Sequence, residues 1–405
     1  MKIRQLIKKK SIPSFCTANE DVIKIILLYC KINNVPCLIE CTSNQVNQFG
    51  GYTKKSPKEF RDYVFEIAQK INFNKKNIFL GGDHLGPLPW KNLNSNLAIK
   101  NSIKMINNYL DSKFCKIHID TSIKCKNDKI FNSQTKFERA RKILKKLKFK
   151  NKSDIFYVVG SEVPTSGSDI KKLLKPTSFD TIKKDSIRYS QILFEKTHRY
   201  KTYGLVIEVG MKYKDKSIQK PNFRNFLKKK KFSLENNFVY EAHSTDFQSI
   251  YTLKKLVNNN FKFLKVGPEL TFLYLRSLFF MQKIENFFKD KNNSNFKKSL
   301  IKEMLKNRKY WINFYKKNSL KQFLNSQYDR SRYYLDLENV KKSIFKLKSN
   351  INKISKKIII KKFMSAKETR ILKLKKYKLS NFEILNFFSI SRSLNKYYKA
   401  CGYII

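Results

Sequence analysis

Apolar runs typical of β-strands alternate along the chain with amphipathic stretches typical of helices. The strand-like runs follow one another at intervals of roughly 25 to 45 residues. They are residues 14–17, 37–41, 77–81, 116–120, 156–160, 205–209, 238–242 and 263–266. Repeated strand–helix units predict a parallel sheet, and eight of them predict an α/β fold closed into a TIM (β/α)8 barrel. An open, doubly wound sheet is the alternative, but no GxGxxG motif follows the first strand.

The alternation stops near Ser299. Lysine-rich stretches of helical character, with few turn signals, continue from there to Ile405. We therefore predict a barrel domain over residues 1–298 and a C-terminal helical extension, packed on the barrel, over residues 299–405. Within the extension, residues 328–334 (YDRSRYY) either cap the barrel mouth or form a surface turn, and the surface turn is favoured.

Nearly every strand-like run ends in a cluster of polar residues. These clusters are residues 40–44, 83–84, 120–122, 161–162, 208, 243–246 and 265–268. The carboxyl ends of barrel strands surround one mouth, where enzymes of this fold have their active sites. We therefore expect the polar clusters to face a common site.

The most informative cluster follows the apolar run at residues 77–80 and has the sequence GGDHLGP over residues 81–87. The adjacent Asp83 and His84 can supply a proton-transfer carboxylate and a metal ligand, while the small neighbours let a substrate approach the backbone. The same residues are also typical of a tight turn with an N-capping aspartate. The motif alone leaves both interpretations open.

Four histidines are available as metal ligands or proton carriers. Two of them, His84 and His243, follow strand-like runs, whereas His198 lies in a charged segment that is predicted to be at the surface. His118 shares a strand face with Asp120, where it either lines the barrel interior or is a hydrogen-bonded core side chain, and the core role is favoured. The candidate ligands for a divalent metal, with one position left for substrate, are His84, His243, Glu162 and Glu208.

The formal net charge of +55 over 405 residues would ordinarily indicate a nucleic-acid partner. The excess is mostly lysine, is spread over the whole length and accompanies many Asn, Ile, Phe and Tyr residues, which is the composition that an AT-rich genome gives its proteins. No lysine-rich arm with interleaved aromatic residues stands apart, so no specific nucleic-acid partner is expected. The hydrophobic share of 41% is enough to bury a core.

The basic segment at residues 1–10 is followed by SIPS and not by a long apolar run, so neither a secretory signal nor a membrane span is predicted. Seven cysteines without a CxxC pair argue against a disulfide framework or a zinc ribbon. They are typical of a reducing compartment, and a cytoplasmic location is therefore expected.

Four segments also carry a family resemblance: residues 39–53, 81–87, 240–246 and 264–268. They resemble the Z subunit of bacterial tagatose-1,6-bisphosphate aldolase, the GatZ/KbaZ family, and the similarity extends in order from about Ser14 to Tyr334 and more loosely to the end. The resemblance implies a TIM barrel related to the zinc-dependent class II aldolases. It also implies a non-catalytic partner that stabilises and activates the catalytic Y subunit in galactitol and N-acetylgalactosamine catabolism.

The same resemblance implies roles for single residues. Asp83 would be the proton-transfer carboxylate, and His84 and His243 would bind Zn²⁺. Class II aldolases have a further zinc-binding histidine after strand six, where this chain has Glu208, so a carboxylate would have to replace it. Glu162 is a second catalytic candidate.

Candidate substrate-binding residues lie at the same strand ends. They are Asn44, Asp120, Ser122, Ser244, Thr245, Asp246, Lys265 and Gly267. A phosphate group could be bound by backbone amides near Gly267 or by Ser244 and Thr245, because late loops serve this purpose in many barrels. Gly267 is equally consistent with a simple turn.

Two functions follow from the sequence. In the first, which we favour at this stage, the chain is an accessory subunit that binds a class II aldolase Y subunit and performs no turnover alone. In the second, it is itself a metal-dependent aldolase or epimerase that acts on a ketose phosphate or sugar acid through an enediolate. The intact Asp83 and His84 support the second function, and the replaced third ligand supports the first.

Overall fold

Eight parallel strands close into a barrel. The computed structural model describes residues 2–148, 155–160, 174–197, 202–288, 292–315, 320–365 and 378–404. The barrel strands are β1 Ile12–Cys16, β2 Cys37–Thr42, β3 Ile78–Leu85, β4 Lys116–Ile119, β5 Phe156–Val159, β6 Tyr203–Val206, β9 Phe238–Ala242 and β10 Phe261–Val266. Around the barrel they follow the order β1-β10-β9-β6-β5-β4-β3-β2. The short strands β7 Lys212–Tyr213 and β8 Ile218–Gln219 form a separate two-stranded sheet. The predicted TIM barrel is confirmed.

Helices alternate with the strands and continue after the last one. They are α1 Ile3–Lys9, α2 Glu20–Asn33, α3 Pro57–Lys70, α4 Ser95–Asp111, α5 Ser133–Lys146, α6 Phe179–Thr197, α7 Phe226–Glu235, α8 Ile250–Asn258, α9 Glu269–Phe287, α10 Phe296–Lys306, α11 Leu320–Asn325, α12 Glu338–Lys353, α13 Lys356–Phe363 and α14 Asn381–Ala400. The helical C-terminal extension is therefore also confirmed. Among the described helices, none combines the length and the apolar character that crossing a membrane requires.

The chain divides into two compact units. The first contains Met1–Lys212, Ile218–Gly267 and Lys396–Ile405, and the second contains Tyr213–Ser217 and Pro268–Asn395. The predicted domain boundary between residues 298 and 299, and the packing of the extension on the barrel, stay predictions.

Helix α3 illustrates how the local sequence fixes the barrel helices. The Ser56 hydroxyl accepts a hydrogen bond from the Glu59 N–H at 3.3 Å, and the Glu59 carboxylate accepts one from the Ser56 N–H at 2.7 Å. This capping box, with Pro57 in the first turn, satisfies backbone donors that the helix leaves unpaired. Apolar residues then recur at helical spacing, so that Phe60 and Val64 are buried.

The amino-terminal end of the barrel is apolar and is covered by α1, which the sequence analysis did not predict. Ile3, Leu6 and Ile7 pack into one buried cluster with residues from the barrel strands. The Arg4 guanidinium donates hydrogen bonds to the Thr202 and Ile155 carbonyls at 2.6 and 2.7 Å, just before β6 and β5. This end of the barrel is therefore filled by apolar side chains.

In the second unit, the segment at residues 328–334 is buried, so the favoured surface-turn interpretation is wrong. Ser331 and Tyr334 are fully buried, and Asp329 is 1% exposed. The Thr271 and Ser331 hydroxyls donate hydrogen bonds to the two oxygens of the Asp329 carboxyl group. Burial nevertheless raises the pKa of Asp329 to about 6, against the opposing influence of the nearby Arg332.

We expect Asp329→Asn to stabilise the protein at pH 8 by about 3 kcal/mol and to leave its stability nearly unchanged at pH 4. A carboxyl group whose pKa is raised on folding loses its proton first in the unfolded state. The free energy of unfolding therefore falls as pH rises from about 4 to 6, and the full loss persists above that range. Asparagine avoids this loss, and it tolerates the left-handed backbone at residue 329, where φ is 44°.

Urea unfolding of both forms at the two pH values measures the effect. The matched control is Asp336→Asn, because Asp336 is an exposed carboxylate of the same unit, 3.2 Å from the Lys341 ammonium. It should change stability by less than about 0.5 kcal/mol at either pH. An equal gain from Asp329→Asn at pH 4 and pH 8 would contradict the role assigned to the carboxyl charge.

Candidate metal centre

A backbone irregularity in β3 brings two consecutive side chains to the barrel mouth. Successive residues of a regular strand point to opposite faces. The pairing of β3 with β4 shifts register between Gly82 and Leu85, and His84 has a left-handed φ of 47°. Because of this irregularity, Asp83 and His84 both belong to the same side-chain cluster. A left-handed histidine is an uncommon conformation that is often found at functional sites.

Glycines in the same motif allow unusually close approaches. A Cβ atom on Gly86 would lie 1.7 Å from the backbone oxygen of Asp120, and one on Gly81 would lie 2.7 Å from Oε1 of Glu40. The absent side chains therefore let the end of β3 meet the end of β4 and leave room for Glu40 inside the barrel. The glycines of the motif position chemistry and do not merely form a turn.

Four side chains converge at the mouth: Asp83 and His84 from β3, His118 from β4, and His243 after β9. One oxygen or nitrogen atom from each lies within 4.8 Å of the others. The centroid of the His84 ring is 4.9 Å from the centroids of the His118 and His243 rings. The centroids of the His118 and His243 rings are 5.2 Å apart. We call these four residues the histidine cluster.

Each imidazole of the histidine cluster has one nitrogen held by a protein acceptor. Nδ1 of His84 is 2.7 Å from Oδ2 of Asp120, and Nε2 of His243 is 2.8 Å from Oε1 of Glu241. Nε2 of His118 is 3.3 Å from the Gly160 carbonyl. An N–H at these positions leaves lone pairs on Nε2 of His84 and on Nδ1 of the other two rings, which is the arrangement that metal-binding histidines adopt. Nδ1 of His118 also accepts a hydrogen bond from the His84 backbone N–H at 3.3 Å and lies 2.9 Å from Oδ1 of Asp83.

The electrostatic environment favours neutral or anionic ligands. Burial and the nearby Lys265 ammonium lower the pKa of His243 to about 3, in spite of Glu241. Burial alone would raise the pKa of Asp83, but His84, Lys265 and His118 hold it well below its usual value. At neutral pH, His243 is therefore a neutral imidazole and Asp83 is a carboxylate.

A layer of buried charges lies beside the histidine cluster. The Lys116 ammonium is 2.6 Å from Oε1 of Glu40 and 2.6 Å from Oε2 of Glu241. The Lys265 ammonium contacts Asp83 and lies 3.4 Å from Oε2 of Glu40 and 3.5 Å from Oε1 of Glu241. We call Glu40, Lys116, Glu241 and Lys265 the charged layer, and all four are at least 93% buried as side chains.

The balance of these charges fits a divalent cation. Together with Asp83 and Asp120, the two glutamates supply four negative charges, and the two lysines supply two positive ones. Burying uncompensated charge is costly, so two further positive charges would be favoured here. The pKa of His84 reflects the same excess, because Asp83 and Asp120 raise it although burial alone would lower it. Three imidazole nitrogens, with the Asp83 carboxylate beside them, suit Zn²⁺ or a similar ion.

Comparison with known proteins gives the family. Residues 1–402 match the family described as D-tagatose-1,6-bisphosphate aldolase subunit GatZ/KbaZ-like. The chain belongs to this family. The D-tagatose-1,6-bisphosphate aldolase subunit GatZ of Escherichia coli O6:H1 is 32% identical over 354 residues, which are 84% of each chain. That of Salmonella typhimurium strain LT2 is 31% identical over 376 residues, which are 88% of each chain.

A solved structure has a closely similar fold. The protein from Sinorhizobium meliloti 1021 described as a "probable tagatose 6 phosphate kinase" superposes with a TM-score of 0.83 at 27% identity. The match covers 96% of this chain and all of that one. The GatZ/KbaZ resemblance found in the sequence is therefore confirmed.

The structure brings some of the candidate metal ligands of this GatZ/KbaZ-like chain together and places Glu208 apart from them. Asp83, His84 and His243 are brought together, and His118 joins them, although a core role was favoured for it. Oε1 of Glu208 instead accepts hydrogen bonds from the Gly210 and Met211 N–H groups at 2.7 and 3.1 Å, outside the cluster. Glu162 lies outside the described residues, and so does His198.

The candidate substrate-binding residues have mixed positions. The Gly267 N–H donates to Asp246 at 2.9 Å, the Thr245 hydroxyl donates to the Lys265 carbonyl, and the Ser122 N–H donates to Asp120 at 2.8 Å. Ser244 is half-buried, with φ at 55°, and Asn44 is exposed. Their binding of substrate or phosphate stays a prediction, while Asp120 and Lys265 contact the histidine cluster directly.

Proposed function

We propose that this chain is a divalent-metal-dependent enzyme of carbohydrate catabolism that cleaves or forms the bond between the carbons α and β to the carbonyl of a ketose phosphate. The observation that carries the proposal is the convergence of three imidazoles and Asp83, with the other nitrogen of each ring held by an acceptor. The family name supports an aldolase-type substrate such as D-tagatose 1,6-bisphosphate. His118 supplies the third imidazole that the sequence lacked at Glu208, and this favours turnover by the chain itself.

Each residue has a role in this proposal. His84, His118 and His243 would hold the cation, for which Zn²⁺ suits the ligands best. A divalent cation held by these residues would supply Lewis acidity toward the carbonyl oxygen of the ketose. Asp120 and Glu241 fix the orientation of the His84 and His243 rings.

Asp83 is the proton acceptor. Its Oδ1 contacts the Lys265 ammonium and lies 2.9 Å from Nδ1 of His118. Its Oδ2 faces Nε2 of His84 at 3.7 Å and the Cys16 thiol at 3.6 Å. In the cleavage direction, Oδ2 takes the proton of the substrate hydroxyl while the adjacent carbon–carbon bond breaks, and the electron pair passes to the carbonyl side. In the synthetic direction it returns that proton.

The accessory function remains a second candidate because the relatives are named as subunits of an aldolase. In that case the chain would bind a class II aldolase Y subunit and raise its activity without turnover of its own. The histidine cluster would then bind metal for structural reasons. The two candidates differ in what the purified chain does alone.

We expect the purified chain to contain about one divalent metal ion per molecule and to cleave D-tagatose 1,6-bisphosphate without a partner. His84→Asn should lose both properties, because asparagine tolerates the left-handed backbone but replaces the imidazole. Metal content is measured by mass spectrometry, and cleavage by coupled assay of the triose phosphate product, with and without a Y-type aldolase.

The outcomes separate the two candidates. Activity of the chain alone that depends on His84 supports the enzyme. Absence of activity alone, with equal activation of the Y subunit by the wild type and by His84→Asn, establishes the accessory role instead. A wild-type chain that binds no divalent metal overturns the proposed enzyme.

A further inference from the structure

Lys116 is a fully buried cation that lies outside the histidine cluster. It is on β4, its side chain is inaccessible to solvent, and its ammonium is 5.1 Å from the centroid of the Phe263 ring. The two carboxylates that it contacts, Glu40 and Glu241, come from β2 and β9. A lysine in such a place needs both partners to offset its loss of hydration.

One of these carboxylates connects Lys116 to the metal centre. Oε2 of Glu241 is 2.6 Å from the Lys116 ammonium, and Oε1 of the same group is 2.8 Å from Nε2 of His243. The Lys265 ammonium is 3.5 Å from Oε1. Lys116 therefore opposes a rotation of the carboxylate toward Lys265, a movement that would disturb the hydrogen bond to the imidazole.

We propose that Lys116 is a positioning residue for the metal centre, acting through Glu241 to fix the orientation and tautomer of His243. The inference rests on the proposed metal binding and names a residue that does not touch metal or substrate. Partners of this kind, one step removed from the ligands, contribute strongly to metal affinity. Buried ion pairs contribute little to net stability compared with well-packed apolar residues, so stability alone does not explain the lysine.

The test uses the double variant Lys116→Met/Glu40→Gln in the full chain. It removes one positive and one negative charge, so that the charged layer stays balanced, and Glu241 keeps Lys265 as a cation. The matched control is Arg139→Met/Asp128→Asn, which removes another buried ion pair of the same unit. Circular dichroism checks the fold of each protein, and calorimetric titration measures its affinity for Zn²⁺.

We expect the dissociation constant for Zn²⁺ to rise about 10- to 100-fold in the Lys116→Met/Glu40→Gln variant and to change less than about twofold in the control. The visible absorption of bound Co²⁺ should also change only in the former. If that variant does not fold, Lys116→Gln replaces it, with weakened Zn²⁺ binding again expected.

Three outcomes overturn the inference. Wild-type affinity in a folded variant at Lys116 overturns it while leaving the proposed function intact, and so does an equal loss of affinity in the control. A wild-type chain that binds no Zn²⁺ overturns the proposed function and this inference together.

Discussion

Asp83→Asn is expected to lower the rate of ketose bisphosphate cleavage about 1,000-fold, because proton transfer by a positioned side chain contributes roughly 100- to 10,000-fold. Asparagine has nearly the same shape as aspartate but cannot accept the substrate proton. The metal content should stay at the wild-type value, since the three imidazoles remain. Steady-state kinetics with D-tagatose 1,6-bisphosphate, together with metal analysis of the same sample, measure both quantities.

The control for this substitution is Asp128→Asn. Asp128 is an aspartate of the same unit whose buried side chain pairs with Arg139 and which is not part of the histidine cluster. Its rate should stay within about twofold of the wild type. A wild-type rate in Asp83→Asn would exclude the proton-transfer role, and loss of the metal along with the rate would make Asp83 a ligand in place of a base.

Zn²⁺ is expected to raise the melting temperature of the metal-free chain by about 5 °C at a concentration 1,000 times its dissociation constant. Binding at that concentration contributes about 4 kcal/mol, and each kcal/mol corresponds to about 1 °C in a protein of 405 residues. The physical reason is the excess of buried negative charge around the histidine cluster, which the cation offsets. Differential scanning calorimetry after chelation and reloading measures the shift.

The double variant His84→Asn/His243→Gln should show no such shift. Ca²⁺ is the control ion, because it prefers six or more oxygen ligands and should leave the melting temperature of the wild type unchanged. Stabilisation by Zn²⁺ that is equal in the wild type and in the double variant would place the bound ion elsewhere on the chain.

The barrel could be predicted from the sequence because strands buried on both faces are nearly continuous apolar runs at regular intervals. Each barrel strand of the structure overlaps one of the predicted runs. Helix α1 was missed because it is short and rich in lysine, and its few apolar residues have a partner only once the barrel has formed.

The metal centre was only half predictable. The strand ends identified Asp83, His84 and His243. The regular alternation of a strand does not predict the backbone irregularity at His84, which places its side chain in the same cluster as that of Asp83. His118 was set aside because a buried imidazole in a strand is usually a core residue. The usable signal was the two-residue spacing of Lys116, His118 and Asp120, which places three polar side chains on one face of an otherwise apolar strand.

The glutamates and lysines of the charged layer could not be paired from the sequence. Glu40 was seen as part of a polar strand end, and Glu241 as part of a family motif, but their shared contact with Lys116 joins β2, β4 and β9. Such pairings depend on the register of the closed barrel and on the space left by Gly81, which the pattern of one strand does not contain.

The pairing of β1 with β10 determines when the barrel can close during synthesis of the protein. Ile12 lies beside Phe263, so the ring of strands cannot close until the ribosome has released the chain beyond β10. His84 and His118 emerge much earlier than His243, and the nascent chain therefore carries an incomplete set of imidazoles through most of its synthesis. Contacts between distant parts of the sequence also form slowly. Maturation of the centre thus belongs to the last stage of biogenesis, after translation of the barrel is complete.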